Sequence, residues 1–185
     1  MGQGEDHRDQ VTIRGQNTTA DFFIDGLRDD VQYFRPLYNL DRVEVLRGSN
    51  ALLFGRGGGG GVVNRVTKTA QLEQDFVTIA GGIDSFGAHS STFDGNTSLG
   101  QSQALRLNAL VEKLDNHRDF KDGDRWAFQP TYTLKVADTT TLVASWERIN
   151  DDRVVDRGVP SFSNAPLQGY TDTFFGSPSM NITAF

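Results

Sequence analysis

The chain of 185 residues contains no cysteine, so it has neither a disulfide nor a cysteine-ligated metal. Its three histidines, His7, His89 and His117, are scattered and make no metal-ligand spacing. Asp119, Asp122 and Asp124 lack the regular acid spacing of an EF-hand loop and read as a solvated stretch. No apolar run reaches about 18 residues, which excludes an ordinary membrane helix. It leaves open a membrane β-barrel, whose lipid-facing residues alternate with polar ones. Basic excess is missing too: the net charge is -6, and the first 70 residues carry nine basic and nine acidic groups. Without a basic stripe, nucleic acid is not an expected partner. No nucleophile pairs with a base, so no enzyme is expected, and no catalytic or metal-binding residue is assigned. The opening "MGQGEDHRDQ" is polar throughout and holds no signal peptide.

What is abundant is glycine, 20 residues, with five in a row at 57–61. Gly55, Gly57 and Gly60 satisfy G-x-G-x-x-G, but "VVNRVTK" follows, which is β-branched and not helical. A dinucleotide loop needs a helix there, so nucleotide binding is disfavoured. A flexible linker sits awkwardly between close strand signals. The remaining reading is close packing by Gly55, Gly57, Gly58, Gly59, Gly60 and Gly61, since glycine has no Cβ and reaches positive φ.

Texture divides the chain near residue 70. Before it, short apolar runs are broken by glycine: "VTIRG" (11–15), "DFFIDG" (21–26), "RVEVLRG" (42–48) and "GVVNRVTK" (61–68). These read as short strands. Helical turns are expected at "PLYNL" and at "SNALLFG", where Ser49 can cap and Gly55 can end one. The expectation for 1–70 is a small α/β unit. After residue 70, long segments alternate with period two. In "WAFQPTYTLKV", Trp126, Phe128, Pro130, Tyr132, Leu134 and Val136 share one face, opposite Gln129, Thr131, Thr133 and Lys135. "FVTIAGGI", "ALRLNALVEK" and "TLVASWER" alternate likewise, and "HSSTFDGNTSL" does so weakly. "GQSQ" and "VADTT" are tight connections. "DNHRDFKDGD" and everything from "NDDRVVDRGVP" onward read as long acidic loops. A soluble β-sandwich alternates too. Strands of this length exceed the usual five or six residues and match the roughly 9–11 of a tilted membrane strand.

The ordered series "IRG" (13–15), "FFIDGLRDD" (22–30) and "YFRPLYNLDRVEVLRGSNALLFGRGGGGGVVNRVTK" (33–68) resembles the plug domain of TonB-dependent outer-membrane receptors, siderophore branch. "RGVPSF" (157–162) is similar to an extracellular loop of that family, and Ser49 stands where the family usually has proline. The resemblance implies a mainly β protein: the C-terminal portion of an α/β plug (1–70), then the first antiparallel strands of an incomplete transmembrane β-barrel (71–185), about five in number. It implies a Gram-negative outer-membrane location, with a ferric siderophore, the TonB complex and outer-membrane lipid as partners. Iron would enter only as chelated cargo, not as a cofactor. It places Gln16, Asn17, Gln32, Tyr33, Phe34 and Arg35 at plug apices that meet the ligand. Arg14, Glu44 and Arg47 would lie between plug and barrel, and the glycine run would reverse the plug chain against the barrel wall. The segment alone is expected to be inactive. Two alternatives remain: a receptor of this kind for cobalamin or an oligosaccharide, and a soluble β-rich binding module.

Overall fold

The computed structural model describes residues 8–19, 21–48, 54, 60–156, 158–179 and 181–184. The chain forms two units, Met1–Lys68 and Thr69–Phe185. Among the described residues the regular elements are strands.

In the first unit, β1 (Val11–Ile13) and β2 (Gln16–Thr18) form a hairpin across Arg14-Gly15. A second hairpin joins β3 (Phe22–Ile24) and β4 (Leu27–Arg28) across Asp25-Gly26. Both central residues of each turn have positive φ, 52° and 79° in one and 49° and 81° in the other. That pairing belongs to two-residue hairpins, where Asp-Gly is favoured. Asp25-Gly26 therefore ends the strand expected over 21–26 and turns the chain back into β4. β5 (Leu40–Leu46) and β6 (Val62–Thr67) complete a sheet of order β4-β3-β6-β5, with β6 parallel to β3 and antiparallel to β5. Central β6 buries Val62, Asn64, Arg65 and Thr67. Phe23 and Val62 form a small core with Leu46 and Phe54, and the Phe23 and Phe54 rings meet edge to face at 4.8 Å. "PLYNL" is a single hydrogen-bonded turn, the Leu40 N–H to the Leu37 carbonyl at 3.3 Å. The turn expected over 49–55, with Ser49 and Gly55, lies outside the described residues.

The second unit is a meander: β7 (Phe76–Ile83), β8 (His89–Ser98), β9 (Gln103–Leu114), β10 (Gly123–Ala137), β11 (Thr140–Ser145) and β12 (Arg148–Val154). After a small hairpin of β13 (Ser161–Phe162) and β14 (Ala165–Pro166), β15 (Asn181–Ala184) pairs with β12. The sheet order is β15-β12-β10-β9-β8-β7, with β11 also on β10. β12 corrects the expectation that the acidic loop begins at "NDDRVV". Its charges are matched across and along the strand: Arg153 donates to Asp151 at 2.6 and 2.5 Å, and Arg125, opposite on β10, lies 3.9 Å from the same carboxylate. A polar run can therefore be a strand here, because its charged side chains find partners on one face.

β11 and β12 together make one crossing, interrupted at Trp146–Glu147. The cause sits opposite, at Pro130. The Trp146 N–H still reaches the Pro130 carbonyl at 3.2 Å. Proline cannot return the bond, so the ladder lapses at this rung.

The decisive feature is which face is buried. Along β9, Arg106 is 8% and Asn108 0% exposed, while Leu105 is 42% and Val111 64% exposed. Along β10, Gln129, Thr131 and Thr133 are buried, and Trp126 and Val136 are exposed. A soluble sandwich would bury the leucines and hydrate the amides. This sheet does the reverse, as the wall of a barrel in lipid must. From Trp126 to Val136 the outward row runs about 33 Å along the strand, or about 25 Å in height at a tilt near 40°, the depth of an apolar band. Trp126, Phe128 and Trp146 form an aromatic chain on that face, with ring centroids 6.1 and 5.3 Å apart.

Candidate functional site

The segment 29–35 of the first unit is held from within by an arginine. The Arg35 Nε donates to the Asp29 Oδ2 at 2.9 Å, and its Nη2 donates to the carbonyls of Val31 (2.6 Å) and Asp29 (3.1 Å). Its backbone N–H donates to Asp9 at 2.9 Å. The guanidinium lies over the Phe22 ring at 4.2 Å and the Tyr33 ring at 4.6 Å. From central β6, Arg65 reaches the same Asp29 oxygen at 2.6 Å and the Tyr33 hydroxyl at 3.0 Å. The Tyr33 hydroxyl donates to Asp29 at 3.0 Å. Burial pushes the Tyr33 phenol above its ordinary range, outweighing the nearby arginines.

The six apex candidates therefore divide. Gln16 and Asn17 are exposed at the start of β2, and Gln32 is exposed beside Val31. Phe34 is half-buried, as is Tyr33, and Arg35 is buried with its donors engaged inside the unit. Arg8 bonds to Gln32 and so ties the chain entering β1 to this loop. Asp29 and Arg65 were missed in the sequence. They lie six and thirty positions from Arg35, and only the β3-β6 pairing brings them together.

Arg14 is exposed at a hairpin tip, and Arg47 is exposed after β5. Glu44 is engaged within its own sheet, accepting from Asn64 at 2.9 Å and Arg42 at 2.9 Å. The Asn64 amide and then Arg42 hold its carboxyl below the usual range. Of the glycines, Gly60 and Gly61 are described. A Cβ on Gly60 would lie 2.2 Å from the Ile13 carbonyl oxygen, and one on Gly61 2.6 Å from that of Leu46. Both glycines thus let β6 begin against β1 and β5. Gly55, Gly57, Gly58 and Gly59 lie outside the described residues.

In the second unit the loops at one end of the sheet are knitted together. The Phe86 and His117 rings are 5.8 Å apart, and those of Phe120 and Phe174 are 6.0 Å apart. Arg118 pairs with buried Asp156 and donates to the Thr171 carbonyl at 3.0 Å. Among the described residues no group of three acids, histidines or cysteines is placed to hold a metal. The chemistry on offer is noncovalent: exposed amides, aromatic faces and a loop fixed from behind.

A sheet that buries amides and exposes leucines, following a compact β unit, defines a segment of an outer-membrane β-barrel protein with its plug. Comparison with known proteins gives the family. Residues 1–62 match the TonB-dependent Receptor Plug Domain. The chain is 36% identical over 168 residues to the probable TonB-dependent receptor BfrD of Bordetella pertussis, covering 86% of this chain and 22% of that protein. It is 35% identical over 141 residues to the metal-pseudopaline receptor CntO of Pseudomonas aeruginosa, covering 75% of this chain and 20% of that one. Its fold is similar to the crystal structure of the ferric-catecholate import receptor Fiu of E. coli K12 in a closed form, with TM-score 0.78, 27% identity, 86% of this chain and 23% of that one covered. The chain belongs to the TonB-dependent outer-membrane receptors, in their siderophore-receptor branch, and spans about a fifth of the length of these curated relatives. It is part of a receptor of the Gram-negative outer membrane, not of an enzyme.

Proposed function

We propose that the receptor carrying this chain binds a ferric siderophore or a related metal chelate outside the cell and admits it through the barrel when TonB acts on the plug. The observation that carries this reading is the inside-out wall joined to a unit of the plug family. Relatives named for metal-pseudopaline and for ferric-catecholate import support a chelated metal as cargo. Gln16, Asn17, Gln32 and Phe34 are the residues we assign to the cargo, because amides and a flat ring suit a polar chelate. Tyr33 and Arg35 shape their loop from behind. Arg14 and Arg47 are exposed on the plug unit, which suits arginines that pair with barrel carboxylates, since a planar fork binds a carboxylate at two points. Glu44 would join them through Arg42.

The test uses iron-limited growth of a strain whose only such receptor is the full-length protein with this chain. A panel of ferric siderophores, cobalamin and oligosaccharides is supplied with and without a working TonB. Growth on a siderophore that requires both receptor and TonB is expected. Failure on every ferric siderophore, together with receptor- and TonB-dependent growth on cobalamin or an oligosaccharide as the limiting nutrient in iron-replete medium, would move the assignment to that cargo.

A further inference from the structure

Residues 69–75 lead from the plug unit into the first barrel strand, and their bonding is that of the wall. Arg106 on β9 grips Asp94 of β8 with two bonds of 2.8 Å. Its third nitrogen, Nη1, donates to the Thr69 carbonyl at 3.0 Å, and its guanidinium lies over the Phe76 ring at 5.1 Å. Asn96 on β8 behaves as an extra strand. Its Nδ2 donates to the carbonyls of Gln71 (2.9 Å) and Gln74 (2.6 Å), and its Oδ1 accepts the Gln71 N–H at 2.8 Å. One residue pair further on, the Ser98 N–H donates to the Asp75 carboxylate at 2.8 Å. Asn96 and Arg106 are direct partners in the β8-β9 ladder, and both are buried.

Between the two Asn96 contacts the chain reverses at Leu72–Glu73, with Glu73 at φ 60°. That conformation is uncommon for a non-glycine residue, and here one amide side chain fixes the backbone on both sides of the turn. A passive tether would leave these carbonyls to water. This one has a side-chain bond at Thr69, Gln71, Gln74 and Asp75.

We infer that residues 69–75 belong mechanically to the barrel, and that Arg106 and Asn96 are positioning residues that set where displacement of the plug along the chain ends. Tension entering from the plug side peels β6 from its neighbours as far as Lys68. It then meets the bidentate arginine and the asparagine bridge, backed by the β8-β9 ladder. The plug can move or open, but the first barrel strand is not drawn after it. The transport reading supplies the use of this stop; the stop itself is measured without any cargo.

The test is force spectroscopy on the full-length receptor in lipid bilayers, pulled from the N-terminal end of its plug. In the wild type the last plug rupture should have a contour length that ends at residue 68. In Arg106→Ala combined with Asn96→Ala, the final rupture should lengthen by about 2.4 nm, seven residues at about 3.4 Å each. Exchanging the charges, Arg106→Asp with Asp94→Arg, removes the donor to the Thr69 carbonyl but keeps Asn96 on Gln71 and Gln74, so the final rupture should lengthen only by about 0.7 nm, two residues at about 3.4 Å each. Should the variants fail to assemble, the wild type decides alone. Its Gln71 amide should exchange hydrogen as slowly as those of β8, and pulling should stop at residue 68. A wild type that already extends through residue 75, an unchanged end point in the double variant, or a fast Gln71 amide would each overturn the inference. A receptor that shows the stop but imports no siderophore would sink the cargo assignment and leave this inference standing.

Discussion

Arg35 lies between Phe34 and Pro36 in what reads as a polar loop, and from the sequence it is a natural ligand for an anionic chelate. Its side chain instead meets an acid, two rings and the backbone of its own loop. Removing it as Arg35→Ala would leave Asp29 with Arg65 and the Tyr33 hydroxyl, and would strip the carbonyls of Asp29, Val31 and Tyr33 of this donor. The cost should be about 3 kcal/mol, the low end for breaking a buried ion pair, because one arginine remains. Hydrogen exchange at 29–35 in the assembled receptor checks it, and exchange unchanged from wild type would show the network to be dispensable. Tyr33 offers a pH test of the same cluster. Its phenol is raised by burial, so the stability it adds is full below the ordinary tyrosine value of about 10 and fades as pH rises through the higher folded value. Tyrosinate absorbance should therefore show one phenol titrating late, and Tyr33→Phe should remove that component alone. A wild-type curve lacking a late component would contradict the buried hydroxyl. At Gly60, an added methyl must displace the Ile13 carbonyl, which is backbone and cannot rotate aside. Gly60→Ala should cost about 1–3 kcal/mol through overpacking, seen as faster amide exchange in β1 and the start of β6. The packing role of glycine was legible as a residue type. Its partner strands were not, since Ile13 is nearly fifty positions away.

At the scale of the element, alternation revealed the long strands because period two survives any environment. It did not say which face lies inside. Leu107 and Asn108 alternate identically in a sandwich and in a barrel, and only burial separates them. Lipid-facing position predicts an asymmetric response: Leu107→Lys places a charge in the apolar band and should cost about 2–4 kcal/mol near the midplane. Thr131→Val on the inner face changes no charge and should leave assembly intact. Heat-dependent migration on gels reads both, and equal tolerance would refute the orientation. β12 was hidden for the opposite reason. Its polar composition resembles a loop, and its strand character depends on partners in β10 and β15. Pro130→Val should heal the ladder facing Trp146 and slow amide exchange at 146–148. The loops yield a second pH test. Burial would raise Asp156, but the Gly158 N–H, Arg118 and Lys121 outweigh it and hold the carboxyl below the usual range. Its contribution is thus complete above the ordinary aspartate value of about 4 and disappears only as pH falls through the lower folded one. Loop proteolysis should stay slow in mild acid and accelerate below that, whereas Asp156→Asn should be cleaved quickly at every pH.

For the whole molecule, the sheet itself sets the limit on what these residues can do unaided. Among the described residues β7 has a neighbour on one side only, and the far edge is shared by β11, β12 and the short β15. In hydrocarbon every unpaired N–H and C=O costs several kcal/mol, which is why membrane sheets close. Edge rows of six to eight residues would carry far more than the small core of the plug unit can offset. In water the outcome is no better, because Val77, Ile79, Leu105, Leu107, Val111 and Leu142 lie exposed on one face and would associate. The 185 residues made alone should therefore collect in aggregates or be degraded, and should neither insert as a monomer nor restore iron-limited growth. Light scattering of detergent-extracted material and the growth assay check this together. A monodisperse monomer in detergent that migrates differently when heated would show that the open edges are satisfied in some other way. Strands supplied as a separate chain provide the complementary test: co-expression with the remainder of a receptor barrel should rescue insertion if edge pairing is the missing term, and should fail if the plug unit were the cause.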